Sequence, residues 1–97
     1  MKEREYIESL YETYNKLLTQ REKEYFEQYY FEDNNMQEIA DNNNVSKAYV
    51  GKYLNNIEKK LRKYEEALKM LDKLNRIRTV IEETENLELI SKIESII

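Results

Sequence analysis

The chain has no cysteine, no histidine, no proline, no tryptophan and a single glycine, Gly51. Without cysteine there is neither a disulfide nor a thiolate metal site, and with histidine missing too a zinc centre loses its commonest ligands. The same absences remove the usual nucleophile–base pairs, and neither a Gly-rich phosphate loop nor a G-x-S-x-G elbow occurs. Carboxylates are plentiful but lie among lysines and arginines, and the adjacent pairs Glu65-Glu66 and Glu82-Glu83 do not face each other on a helix. No catalytic residue, cofactor, metal or small-molecule substrate is therefore expected. No apolar run approaches the roughly 18 residues a membrane span needs, so no membrane insertion is expected. The opening stretch MKEREYIESLYETYNKLL is too charged for a secretory signal, which points to the cytoplasm.

Present instead are 37% charged and 40% apolar residues in a chain of 97, distributed at helical spacing. The fold class they predict is all-α: a helix-turn-helix domain with a long C-terminal helical extension. Ile7, Leu10, Tyr11, Tyr14, Leu17 and Leu18 outline a first helix over about residues 3–17. Thr19 followed by Glu22 reads as a capping box, in which each residue's side chain accepts the other's backbone N–H, so a second helix should start there. Tyr25, Phe26, Tyr29 and Tyr30 follow helical spacing and are read as packing residues rather than as a base-stacking platform.

Residues 34–61 carry the organising motif. Asn35 and Glu38 form a second capping box before Met36, Ile39 and Ala40. Ser46 is a good N-cap for a helix bearing Val50, Leu54, Ile57 and Leu61. Between them lies Asn42-Asn43-Asn44, and asparagine is the non-glycine residue that best tolerates the left-handed conformation of a tight turn. Helix, short turn and second helix make a helix-turn-helix, whose second helix is the one that enters a major groove.

Apolar residues continue past that motif. Val50, Leu54, Ile57, Leu61, Tyr64, Leu68 and Leu71 alternate steps of four and three, a heptad seam, and the pattern runs on through Leu74, Ile77 and Ile81 with a shifted step near residue 74. That step is a candidate position for a bend or a helix end, although no Gly or Pro interrupts residues 52–97. A helix of some 30 residues would be roughly 45 Å long, so its far half overshoots the core. The expected division is a core over residues 1–63 and an extension over 64–97. Two occupants fit the uncovered seam: the final segment with Leu87, Ile90, Ile93 and Ile97, or a second copy of the chain. The homodimer is the preferred expectation, with Tyr64, Leu68, Leu71, Leu74, Ile77 and Ile81 at its interface.

A net charge of −4 argues against nucleic acid, but the distribution does not. Residues 1–45 hold five basic and eleven acidic side chains, residues 46–78 ten basic and four acidic. The positive block starts where the second helix of the motif starts, which is the distribution a phosphate-binding footprint needs; a solvated basic helix balanced by acidic neighbours is the competing explanation. Lys47, Tyr49, Lys52 and Asn55 stand where a recognition helix presents side chains to base edges, and Lys59, Lys60, Arg62 and Lys63 would suit phosphates.

The string Tyr29-Tyr30-Phe31-Glu32-Asp33, then Met36, Glu38-Ile39-Ala40, Val45-Ser46-Lys47, Val50, Leu54, Lys60-Leu61, Tyr64-Glu65-Glu66 and Leu68, resembles the small YlxM-like proteins of Gram-positive bacteria and mollicutes. These are similar in turn to the promoter-binding C-terminal domain of sigma factors. The resemblance covers about residues 5–80 and departs from the usual pattern at Asn44 and at Gly51-Lys52-Tyr53. It implies a regulatory role in the signal recognition particle pathway, through binding of DNA, RNA or the pathway's GTPase. As a residue-level consequence, Ser46 would cap the recognition helix, Lys47 would stand where the family commonly has arginine, and Val50, Leu54 and Leu61 would be core. The alternative function is a protein-interaction module that modulates the GTPase without touching nucleic acid.

Overall fold

The computed structural model describes residues 3–83 and 87–96, all helical apart from short connections. Helix α1 spans Glu3–Tyr14 and runs into a 3-10 turn over Asn15–Leu17. The α-helix thus ends three residues before the expected boundary, and Leu17, expected on the apolar face, is exposed. Helix α2 spans Gln20–Tyr30 and begins at the Thr19/Glu22 capping box, with the Glu22 N–H donating to Thr19 Oγ1 at 3.2 Å and the Thr19 N–H to Glu22 Oε1 at 2.8 Å. Helices α3 (Met36–Asn43) and α4 (Lys47–Leu68) follow, then α5 (Met70–Glu83) and α6 (Leu87–Ile96).

Helix α4 is the central element and packs against α1, α2 and α3. Its buried stripe of Val50, Leu54, Ile57 and Leu61 repeats at helical spacing and meets Ile7, Leu10 and Tyr14 of α1, Tyr25 and Phe26 of α2, and Ile39 and Ala40 of α3 in one cluster. The aromatic residues of α2 are packing residues, as their spacing predicts. Phe26 stacks between Tyr11 and Tyr30, with ring centroids 4.1 and 4.2 Å apart. Tyr29 and Tyr30 are half-buried at the edge, where Arg4 donates to the Tyr30 carbonyl at the end of α2.

The long helix expected from the heptad seam is interrupted. Lys69 adopts the left-handed conformation, with φ 51°, and α5 starts at the next residue. The break turns α5 against α1, so the seam is largely covered by its own chain. Leu71 is buried in the core, Tyr64 packs at its edge beside Tyr14, and Ile81 is buried too. Leu74 is half-buried, whereas Leu68 and Ile77 are exposed. Of the six residues expected at a dimer interface, Tyr64, Leu71 and Ile81 are therefore claimed by the chain itself, because a seam periodicity records an apolar face and not who covers it. Helix α6 packs on α5, with an ion pair between Arg78 and Glu94 at 3.1 Å. Within that final segment Ile93 is half-buried and Ile96 exposed; the side chains of Leu87, Ile90 and Ile97 lie outside the described residues.

Candidate nucleic-acid interface

Local chemistry builds the helix-turn-helix from both ends. The Asn35 side chain accepts the Glu38 N–H at 2.8 Å while Glu38 accepts the Asn35 N–H at 3.0 Å, which fixes the start of α3. Helix α3 ends on Asn44, left-handed at φ 55°, whose N–H returns to the Ala40 carbonyl, as does that of Val45. Asn43 ties the same end by donating to the Ile39 carbonyl at 2.7 Å. Two residues later Ser46 Oγ accepts the Tyr49 N–H at 3.1 Å and α4 begins. With Ile39, Ala40 and Val50 fully buried between the two helices, the angle of α4 to α3 is fixed by packing as well as by the turn.

The eight residues expected to contact nucleic acid do not share one environment. Lys52, Asn55, Lys59 and Lys63 are exposed, and their spacing of three and four places them along one outward stripe of α4, opposite the buried Leu54 and Ile57. Lys47 is exposed in the first turn. No carboxylate pairs with any of these four lysines among the described residues.

Lys60 and Arg62 differ. The Lys60 ammonium lies 3.1 Å from Glu22, and the Arg62 guanidinium 2.7 Å from Glu3 and 3.3 Å from Glu58. Both cations are engaged by carboxylates of their own chain. The physical reason is position: Lys60 flanks α2 and Arg62 flanks α1, whose faces are acidic. Burial opposes the charge on Glu22, but the Thr19 N–H and the Lys60 ammonium outweigh it and hold its carboxyl below the ordinary value. The hydrogen bond to Glu22 correspondingly raises the pKa of Lys60.

Tyr49 is not a free finger either. Its ring stacks on Tyr53 one turn along α4, at 5.7 Å and 25°, and meets the edge of Tyr25 from α2. Arg21 lies over this group, a residue to which periodicity and charge blocks gave no prominence because it falls in the acidic half of the chain. Among the described residues no group of carboxylates, histidines or cysteines could hold a metal ion, and no helix is long and apolar enough to cross a membrane.

Residues 1–96 match the UPF0122 family, described as "Putative helix-turn-helix protein, YlxM / p13 like". A UPF0122 protein of Ureaplasma urealyticum serovar 10 is 37% identical over 94 residues, covering 94% of this chain and 92% of its own length. One from Clostridium acetobutylicum is 31% identical over 108 residues, covering 97% and 93% respectively. Another from Geobacillus kaustophilus is 38% identical over 73 residues, covering 75% of this chain and 66% of the relative. No solved structure matches the chain.

Proposed function

The chain belongs to the UPF0122 family of YlxM/p13-like helix-turn-helix proteins, and from that premise we propose that it is a non-catalytic regulator that binds nucleic acid through α4. The observation that carries the proposal is the outward stripe of α4. Lys52, Asn55, Lys59 and Lys63 are exposed there, and among the described residues the three lysines have no carboxylate partner. The ammonium groups have thus kept their full attraction for phosphate, and Asn55 can bond a purine edge. Lys47 and Tyr49 extend the surface at the N-terminal turn. Lys60 and Arg62 are left out of the reading set, because phosphate would have to displace an existing ion pair.

Binding of this kind weakens steeply with salt. Titration of a 20-base-pair DNA duplex and of its RNA counterpart over a series of salt concentrations measures the slope. Lys59→Ala should lower that slope by about one unit. Failure of the protein to bind either duplex at low salt refutes the proposal.

The finer reading places this activity in the signal recognition particle pathway, as the sequence resemblance implies. Pull-down from a bacterial extract with and without nuclease tests it. Capture of the particle's GTPase that survives nuclease would replace nucleic-acid binding with the protein-interaction reading. Residues 64–97 are proposed as the dimerisation segment, supported by the exposure of Leu68, Met70, Ile77 and Val80 beside the Lys69 break and along α5. A two-fold interface sets such a patch against its own copy. Sedimentation equilibrium giving a monomer at micromolar concentration would remove the dimer from the proposal.

A further inference from the structure

The five arginines of the chain divide into two kinds. Arg4, Arg62, Arg76 and Arg78 each face a carboxylate at between 2.7 and 3.4 Å. Arg21 faces none. Its guanidinium lies over aromatic rings instead, 5.7 Å from the centroid of Tyr25, 5.9 Å from Tyr49 and 5.8 Å from Tyr53. The three rings touch one another: Tyr49 and Tyr53 stack at i and i+4 on α4, and Tyr25 of α2 closes the group at 4.6 Å from Tyr53. Tyr25 is buried, and among the described residues its hydroxyl has no hydrogen-bond partner.

Two features make this arrangement unlike a structural ion pair. Arg21 occupies the first turn of α2, where the helix macrodipole disfavours a cation. The neighbouring carboxylate that could compensate it, Glu22, is already bonded to Thr19 and Lys60. The arginine is exposed, and a cation held over ring faces keeps its in-plane N–H donors available for a bidentate acceptor. The rings also limit the side chain's freedom, so less conformational entropy is lost when an anion is bound. On α4 the caging residues lie beside the outward stripe: Tyr49 adjoins Lys52 three residues on, and Tyr53 lies next to Lys52 in sequence.

We infer that Arg21, held by Tyr25, Tyr49 and Tyr53, is a backbone-phosphate contact on α2 that works together with the lysine stripe of α4. The inference rests on the proposed binding of nucleic acid by α4. It assigns to the element before the helix-turn-helix the job of gripping the sugar–phosphate strand at the flank of the groove that α4 enters. The chemistry recognised is a phosphodiester, common to DNA and RNA.

The test compares wild-type protein with Arg21→Ala, Arg21→Lys, Lys59→Ala and Lys73→Ala, each titrated with a 20-base-pair DNA duplex and the RNA duplex of the same sequence across a salt series. Arg21→Ala should lower the salt slope by about one unit and weaken binding at low salt roughly tenfold, on the duplex that the wild type prefers. Arg21→Lys should restore the slope but only part of the affinity, since it keeps the charge and loses the planar fork. Lys73→Ala on α5 should bind as wild type. An Arg21→Ala protein whose slope and affinity are unchanged while Lys59→Ala loses both overturns the Arg21 contact and leaves the α4 reading standing. A merely structural arginine would reveal itself by a lower melting temperature of the free protein with an unaltered salt slope, which also overturns the inference. Wild-type protein that binds neither duplex overturns both.

Discussion

Replacing Tyr14 with phenylalanine should destabilise this protein far more than the loss of one hydroxyl suggests. Helix α5 begins immediately after Lys69, and its first N–H groups have no partner within the helix itself. Three of them are satisfied from elsewhere: Met70 N–H donates to the Tyr14 hydroxyl at 3.0 Å, Leu71 N–H to Glu65 Oε1 at 3.1 Å, and Asp72 N–H to Glu65 Oε2 at 3.1 Å. The Tyr14 hydroxyl in turn donates to Glu65 Oε1 at 2.6 Å, which orients the carboxylate. Tyr14 is 2% exposed, so water does not easily substitute. Removing the hydroxyl deletes a charge-assisted bond, worth about 1.5–3 kcal/mol, and unpairs the Met70 N–H. A loss of about 2–3 kcal/mol follows. At about 4–8 °C per kcal/mol for a domain near 100 residues, the melting temperature should fall by roughly 10–20 °C. Thermal and urea unfolding followed by circular dichroism measure it. Glu65→Ala should cost a similar amount, and the double variant less than the two losses added, because both act through one network. A Tyr14→Phe protein melting within about 3 °C of wild type would refute the capping argument.

Two other outcomes follow from the same geometry. Gly51→Ala should stabilise the protein by about 0.5–1 kcal/mol, because Gly51 lies inside α4 and an added Cβ would meet only the Met36 sulfur at an ordinary 3.6 Å; a lower urea midpoint would show that α3 and α4 approach more tightly than that. Alkaline pH should unfold the chain: burial, helped by the charge of Glu27 and its hydrogen bond, pushes Tyr11 up to about 12, and burial is the main cause of the raised values of Tyr14, Tyr30 and Tyr53. The folded state keeps these protons when the unfolded chain releases them near 10, so stability is full below that value and is lost as pH rises from about 10 towards 12. Absorbance at about 295 nm should accordingly show some of the nine tyrosines ionising only as the protein unfolds, and a native titration with all nine ionising together near 10 would contradict it.

What was legible in the sequence is what depends on near neighbours. Thr19 with Glu22, Asn35 with Glu38, Ser46 with Tyr49, and Asn44 at the turn act over four residues or fewer, and each occurs where its spacing predicts. The break at Lys69 is different. It carries no glycine or proline signal, and one of the groups that stabilise the helix after it, Tyr14, lies 56 residues from Met70. The fates of Lys60 and Arg62 were hidden for the same reason, since Glu22 and Glu3 lie 38 and 59 residues away. Arg21 left a trace, an arginine four residues before Tyr25 with two further tyrosines at i and i+4 on another helix. Only the packing of α2 on α4 shows that these are one group.

The break also separates two tasks that a continuous helix would have merged. On the α4 side of Lys69 the cations Lys52, Lys59 and Lys63 face outward with no carboxylate partner among the described residues; on the α5 side Arg76 and Arg78 are paired with Asp72 and Glu94, and exposed Ile77 and Val80 take their place as the distinctive surface. Glu65 belongs to α4 and Tyr14 to α1, yet both hold the first turn of α5, so the orientation of α5 is tied to the helix-turn-helix core through three hydrogen bonds from its backbone N–H groups to those two side chains. In the proposed dimer, where copies meet along α5, that tie would transmit the interface geometry directly to α4. The separation of the two reading helices would then be set by the turn at Lys69, and matched to half-sites by it.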